Sequence, residues 1–173
     1  MLSAYALAFC RMVIGMVFAW SLVGKVRDVR AFEQTITRFQ VLPERWSRLA
    51  AGLVLGGEGA VVGAMGVGGV FLKWGFLLAA SLLVVFCAAL ALVLRRQIHT
   101  SCRCFGATGK LVSGHDIVRN SGFIFCALGG CGVLVRTSVN VSPSWPEWAL
   151  TGVIAGIFVA VWAQMREIVA LFR

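Results

Sequence analysis

The chain has 173 residues, of which 60% are hydrophobic and only 13% charged, with a formal net charge of +9. A water-soluble domain of this size cannot cover so much apolar surface with so few polar side chains, so the composition excludes an aqueous globular protein. The basic balance is the kind produced by loops held on one side of a membrane, and no nucleic-acid partner is expected.

A hydrocarbon core of about 30 Å needs about 20 apolar residues per helix, and strands cannot stand alone in lipid. Five segments qualify, which predicts an all-α polytopic membrane bundle forming a single integral domain over 1–173, with the bilayer as its first partner. The first segment, about 2–24, carries Arg11 and is followed by Lys25 and Arg27 rather than a small-residue cleavage site, so it is expected to stay as a helix. Arg11, Gly15, Phe18, Leu22 and Lys25 share one of its faces, with Arg11 toward the outer side and Lys25 toward the inner side. A basic loop leads to the second helix, about 49–69, which holds Glu58 near its middle. Gly52 with Gly56, and Gly59 with Gly63, form two G-x-x-x-G steps there, read as a helix–helix interface. The third helix, about 74–94, has Ser81 as its clearly polar side chain.

A polar connection containing Cys102-Arg103-Cys104-Phe105-Gly106 follows. Ser113 is the expected N-cap of the fourth helix, about 117–135, with Asp116 three residues on. Arg119 and Asn120 stand near its start. Trp145 and Trp148 read as interfacial anchors of the fifth helix, about 148–165, with Pro146 just before it.

The loops after the first and third helices and the C-terminal tail hold twelve basic residues, against two in the alternate connections. This asymmetry puts the N-terminus outside, the C-terminus in the cytoplasm and the Cys-x-Cys loop at the cytoplasmic face. Arg11, Glu58 and Arg119 lie within or at the edge of spans, where an ionised group costs a few kcal/mol or more unless paired or hydrated. For Glu58 two readings stand. One is an ion pair with Arg11 across a helix contact; the other is a proton-handling carboxylate facing a small polar cavity near a redox centre.

Four of the six cysteines, Cys10, Cys87, Cys126 and Cys131, fall in apolar segments, where a thiol usually packs as a small hydrophobe. Cys102 and Cys104 share a polar loop. Positive charge favours the reactive thiolate; Arg103 lies between the two, and Arg119, His99 and His115 are candidates to approach them. A disulfide across one residue is a strained ring, easily reduced and suited to exchange with a partner. The same pair suits Cu(I) or Hg(II), but methionines are few and no histidine cluster is apparent, so no metal ligands are assigned. A third possibility is a non-catalytic assembly factor holding a partner subunit in the membrane.

At Cys102-x-Cys104-Phe105-Gly106 and Arg119-Asn120 the chain resembles the MauE family, related to DoxX-like membrane proteins. Arg11 and Gly15, Gly24-Lys25, Leu42-Pro43 and Glu58 extend the resemblance over roughly 5–135. Arg103 departs from the small residue expected between the cysteines. The resemblance implies a four-helix core, here with a fifth C-terminal helix beyond it, in the inner membrane of a bacterium. It implies thiol chemistry with a thioredoxin-like or cysteine-rich exported partner, as in maturation of methylamine dehydrogenase. Cys102 and Cys104 would react, Arg103 and Arg119 would stabilise the thiolate, Glu58 and Lys25 would tune a cavity and His115 would move a proton, with Arg11 and Asn120 as further supporting residues. A broad likeness to vitamin K epoxide reductase-like bundles admits a quinone as cofactor; no nucleotide, haem or phosphate motif is apparent. Disulfide formation belongs outside the cytoplasm, whereas the charge count puts the loop inside. Either the topology is reversed, or electrons cross the membrane to an outer pair, Cys10 and Cys131, with Cys87 and Cys126 between.

Overall fold

A chain in lipid must satisfy its backbone hydrogen bonds internally, and these long apolar runs do so as helices. The computed structural model describes residues 2–39, 43–97, 114–136 and 145–165. They form α1 (Leu2–Val26), α2 (Val29–Arg38), α3 (Glu44–Val67), α4 (Phe71–Arg95), α5 (Gly114–Arg136) and α6 (Trp145–Ala163). Five of these, all but α2, are long and apolar enough to cross a membrane. The architecture is the expected all-α polytopic bundle.

The spans begin earlier than hydropathy alone suggests. Pro43, with φ −56°, occupies the N-cap of α3, and Pro146 lies inside the first turn of α6, where its missing N–H costs nothing. Ser113, the expected cap of α5, lies outside the described residues.

The basic stretch after α1 is not simply a loop. Asp28 caps α2, its side chain accepting from the Ala31 N–H at 3.0 Å. Val29, Phe32, Ile36 and Phe39 recur at helical spacing, while Arg30, Gln34 and Arg38 are exposed. Phe39 is buried with Leu90 and Val93 of α4, against Ile117 of α5. The helix therefore covers one end of the bundle.

α1 is central, packing against α3, α5 and α6, while α3 meets α4 and α4 meets α5. The main core holds Val13, Ile14, Val17, Val61, Phe76, Phe123 and Ala127. Close approach occurs where Phe76 of α4 lies on Gly130 of α5: a Cβ on Gly130 would stand 2.5 Å from the ring. The G-x-x-x-G steps of α3 do not have the expected role within the chain. A Cβ at Gly52, Gly56, Gly59 or Gly63 would meet nothing within 4 Å. That stripe faces away from the neighbouring helices, because the faces of α3 that pack carry Val61, Met65 and Gly57 instead.

Arg11 marks the end of the bundle opposite α2. Its Nε donates to the Met65 carbonyl at 2.6 Å and its Nη2 to the Gly66 carbonyl at 2.9 Å. These belong to the last turn of α3, whose carbonyls lack helical partners and carry the negative end of the dipole. The guanidinium also lies over Trp148, 5.1 Å from the ring centroid. Trp148 is half-buried against Arg11, whereas Trp145 is exposed.

Candidate functional site: an ion pair beside an apolar chamber

Lys25 sits in the last turn of α1, where a lysine usually reaches out to water. A helical side chain instead leans toward the N-terminus of its own helix. That direction carries the ammonium back one turn, to Ser21 Oγ at 2.7 Å, and into an ion pair with Glu58 of α3. Ser21 Oγ donates in turn to Glu58 Oε1 at 3.1 Å. Both charged side chains are over nine-tenths buried. Phe32 of α2 covers the ammonium, its ring centroid 5.2 Å from Nζ.

The partner of Glu58 is therefore Lys25, not Arg11. Arg11 stands fourteen positions before Lys25 on the same face of α1, about 21 Å along the helix, and is committed to the other end of α3. The sequence offered Arg11 as the ion-pair partner; the direction of the Lys25 side chain and the depth of Glu58 give the pair to Lys25 instead.

Beside the pair lies a cavity of about 220 Å³. Its wall is mostly apolar, built from Phe18 of α1, Phe32 and Ile36 of α2 with Phe39 at its C-cap, and Leu82 and Phe86 of α4. Lys25, Glu58, Ser21 and Asn120 supply its polar part. Asn120, fully buried in α5, donates Nδ2 to the Asp116 carbonyl at 2.7 Å. Its Oδ1 and Glu58 Oε2 are buried acceptors that find no donor among the described residues.

The predicted site residues thus divide. Lys25, Glu58 and Asn120 converge on the chamber. Arg119 lies one residue before Asn120, 3.5 Å from Asp116, and its carbonyl accepts from Trp162 of α6 at 3.0 Å. His115 is exposed in the first turn of α5. Cys102, Arg103, Cys104, Phe105, Gly106 and His99 lie outside the described residues. Cys10 is brought against Cys126, the two thiols within interaction distance; Cys131, further along α5, and Cys87 of α4 are half-buried. Sequence reasoning missed Ser21 and the whole α2 wall. The signals were present: Ser21 is one turn before Lys25, and Phe32, Ile36 and Phe39 keep a helical period.

The fold and this centre define a multi-pass, all-helical membrane protein with a buried lysine–glutamate pair at the edge of an apolar chamber. The family model described as methylamine utilisation protein MauE matches residues 3–135, and the chain belongs to that family. The match spans α1–α5 and includes both loop cysteines; α6 lies beyond it. No curated protein and no solved structure matches the chain.

Proposed function

We propose that this MauE-family protein is a thiol–disulfide exchange protein of the bacterial inner membrane, with Cys102 and Cys104 as its reacting thiols. One observation carries the reading. The Cys-x-Cys segment joins α4 to α5, and the first two turns of α5 bear Asp116, Arg119 and the chamber-facing Asn120. The cysteines are therefore tethered in sequence to the helix that reaches the Lys25–Glu58 centre.

In the exchange, a thiolate of the loop attacks a partner disulfide, a mixed disulfide forms, and the partner sulfur leaves as a thiolate. The second loop thiol then displaces the remaining partner sulfur. The loop ends as a disulfide and the partner as a dithiol, so two electrons and two protons change hands with no third reactant. The reverse direction uses the same steps. Arg103 and Arg119 favour the thiolate. With the loop at the cytoplasmic face, a thioredoxin-like protein on that side is its direct partner class, and a cysteine-rich exported protein is served only through electrons passed to thiols at the outer side, in the setting of methylamine utilisation.

The orientation has the N-terminus outside and the loop at the cytoplasmic face. Arg27, Arg30, Arg38, Arg45, Arg48, Arg95 and Arg96 are all exposed and flank the ends of α1, α2, α3 and α4 on the α2 side, which supports it.

The test is trapping. With Cys102→Ser or Cys104→Ser, one of the two variants accumulates a mixed disulfide with a thioredoxin-like partner, visible on a non-reducing gel. Full biological function in the Cys102→Ser/Cys104→Ser double variant sinks the reading. An impermeant thiol reagent applied to intact cells labels neither cysteine until the membrane is opened; rapid labelling from outside reverses the orientation.

A further inference from the structure

The chamber beside Lys25 and Glu58 has a chemistry of its own. Two buried acceptors border it, Glu58 Oε2 and Asn120 Oδ1, and neither meets a donor among the described residues. An acceptor left unsatisfied at such depth is costly, and a bound molecule carrying hydroxyl donors removes that cost. The Lys25 ammonium commits two of its three donors to Ser21 and Glu58 and lies over the Phe32 ring, and neither orphaned acceptor receives a hydrogen bond from it.

Size and lining narrow the class. A dry cavity of about 150 Å³ is enough to hold benzene, and this one, at about 220 Å³, has phenylalanines 18, 32, 39 and 86 in its wall. That accommodates a single substituted ring. Access is from the lipid side: Val85 lines the cavity and is 66% exposed on the outer surface of α4. A water-soluble metabolite has no reason to enter there.

The geometry points to a binding site for a membrane-dissolved hydroquinone, its ring in the chamber, its two hydroxyls donating to Glu58 Oε2 and Asn120 Oδ1, and its apolar tail leaving past Val85. The reduced form is preferred, because a quinone presents carbonyl acceptors to two protein acceptors. The inference does not rest on the thiol-exchange reading and holds if the loop cysteines are inert.

Decylubiquinol and decylubiquinone are the probes, titrated anaerobically into the full-length protein in nanodiscs. The quinone titration uses the Cys102→Ser/Cys104→Ser variant, so that the loop thiols cannot reduce it. One decylubiquinol binds per chain, about tenfold or more tighter than decylubiquinone, the factor expected for one or two buried hydrogen bonds. The double-serine variant binds decylubiquinol as the wild type does. Glu58→Gln, which puts a donor beside the ligand, erases most of the preference for the reduced form. Ala89→Phe or Val54→Phe fills the chamber and abolishes saturable binding. Absence of saturable binding overturns the inference, as does equal affinity for both redox forms, binding that survives the filled chamber, or a co-purified phospholipid chain that decylubiquinol does not displace. Loss of partner trapping with intact decylubiquinol binding would count against the thiol reading alone.

Discussion

Lys25 and Glu58 form a buried ion pair between the end of α1 and the middle of α3, with Ser21 hydrogen-bonded to both. Removing one partner strands the other charge. Lys25→Met or Glu58→Met alone is expected to cost about 3–5 kcal/mol, whereas the combined Lys25→Met/Glu58→Met variant recovers most of it. Unfolding in mild detergent, arranged as a double-mutant cycle, measures the coupling. If the double variant is also stable yet inactive, the pair serves function as well as folding; single and double variants of equal stability would show no coupling.

Arg11 acts as a cap for α3. Arg11→Met loses two charge-assisted hydrogen bonds, to Met65 and Gly66, at about 1.5–3 kcal/mol each before relaxation. Hydrogen exchange is expected to accelerate at the end of α3 and leave α2 unchanged. Gly68→Ala has a related effect. Gly68 has φ +76° and ψ −150°, a region nearly closed to other residues, and a Cβ there would stand 3.0 Å from the Arg11 guanidinium. A loss of about 1–3 kcal/mol is expected.

The glycines of α3 and α5 predict opposite responses. Gly130→Ala drives a Cβ into Phe76 and is expected to destabilise by about 1–3 kcal/mol. Gly56→Ala meets open space and is expected to be neutral or to stabilise by up to about 1 kcal/mol through helix propensity. Thermal melts of the two variants compare them directly. A large loss at Gly56 would point to a second copy of the chain packed on that stripe.

Cys10 faces Cys126 from the neighbouring helix. A membrane-permeant oxidant is expected to link these two first. Cys126→Ser removes the product and Cys131→Ser leaves it, as peptide mapping under non-reducing conditions will report.

α2 and α4 share a small core of Phe39, Leu90 and Val93. Phe39→Ala is expected to cost about 3–5 kcal/mol if the cluster cannot collapse. Limited proteolysis should then cut between α1 and α3 while the five spans stay protected. Unchanged protection of α2 would mean that the helix is held by other contacts.

The five spans were legible because lipid leaves few alternatives: about 20 apolar residues between polar connections must be helical. The α2 helix was hidden because its charged residues dominate any average over the stretch, although Phe32, Ile36 and Phe39 keep the helical period. At the candidate site, Glu58, Lys25 and Asn120 stood out as polar residues in or beside apolar runs. Their meeting was not legible, since three different helices bring them together.

The sequence by itself determined the solvent, the number of spans, the asymmetry of basic charge and the residues expensive enough to need a partner. Each follows from composition and spacing along one chain. The tertiary structure alone decided which partner each one takes. Glu58 lies at the depth to which Lys25 leans back, while Arg11, about four turns away, faces the open carbonyls of α3. It also decided that Gly130, rather than the glycine stripe of α3, admits a neighbouring helix, because close packing depends on which faces meet.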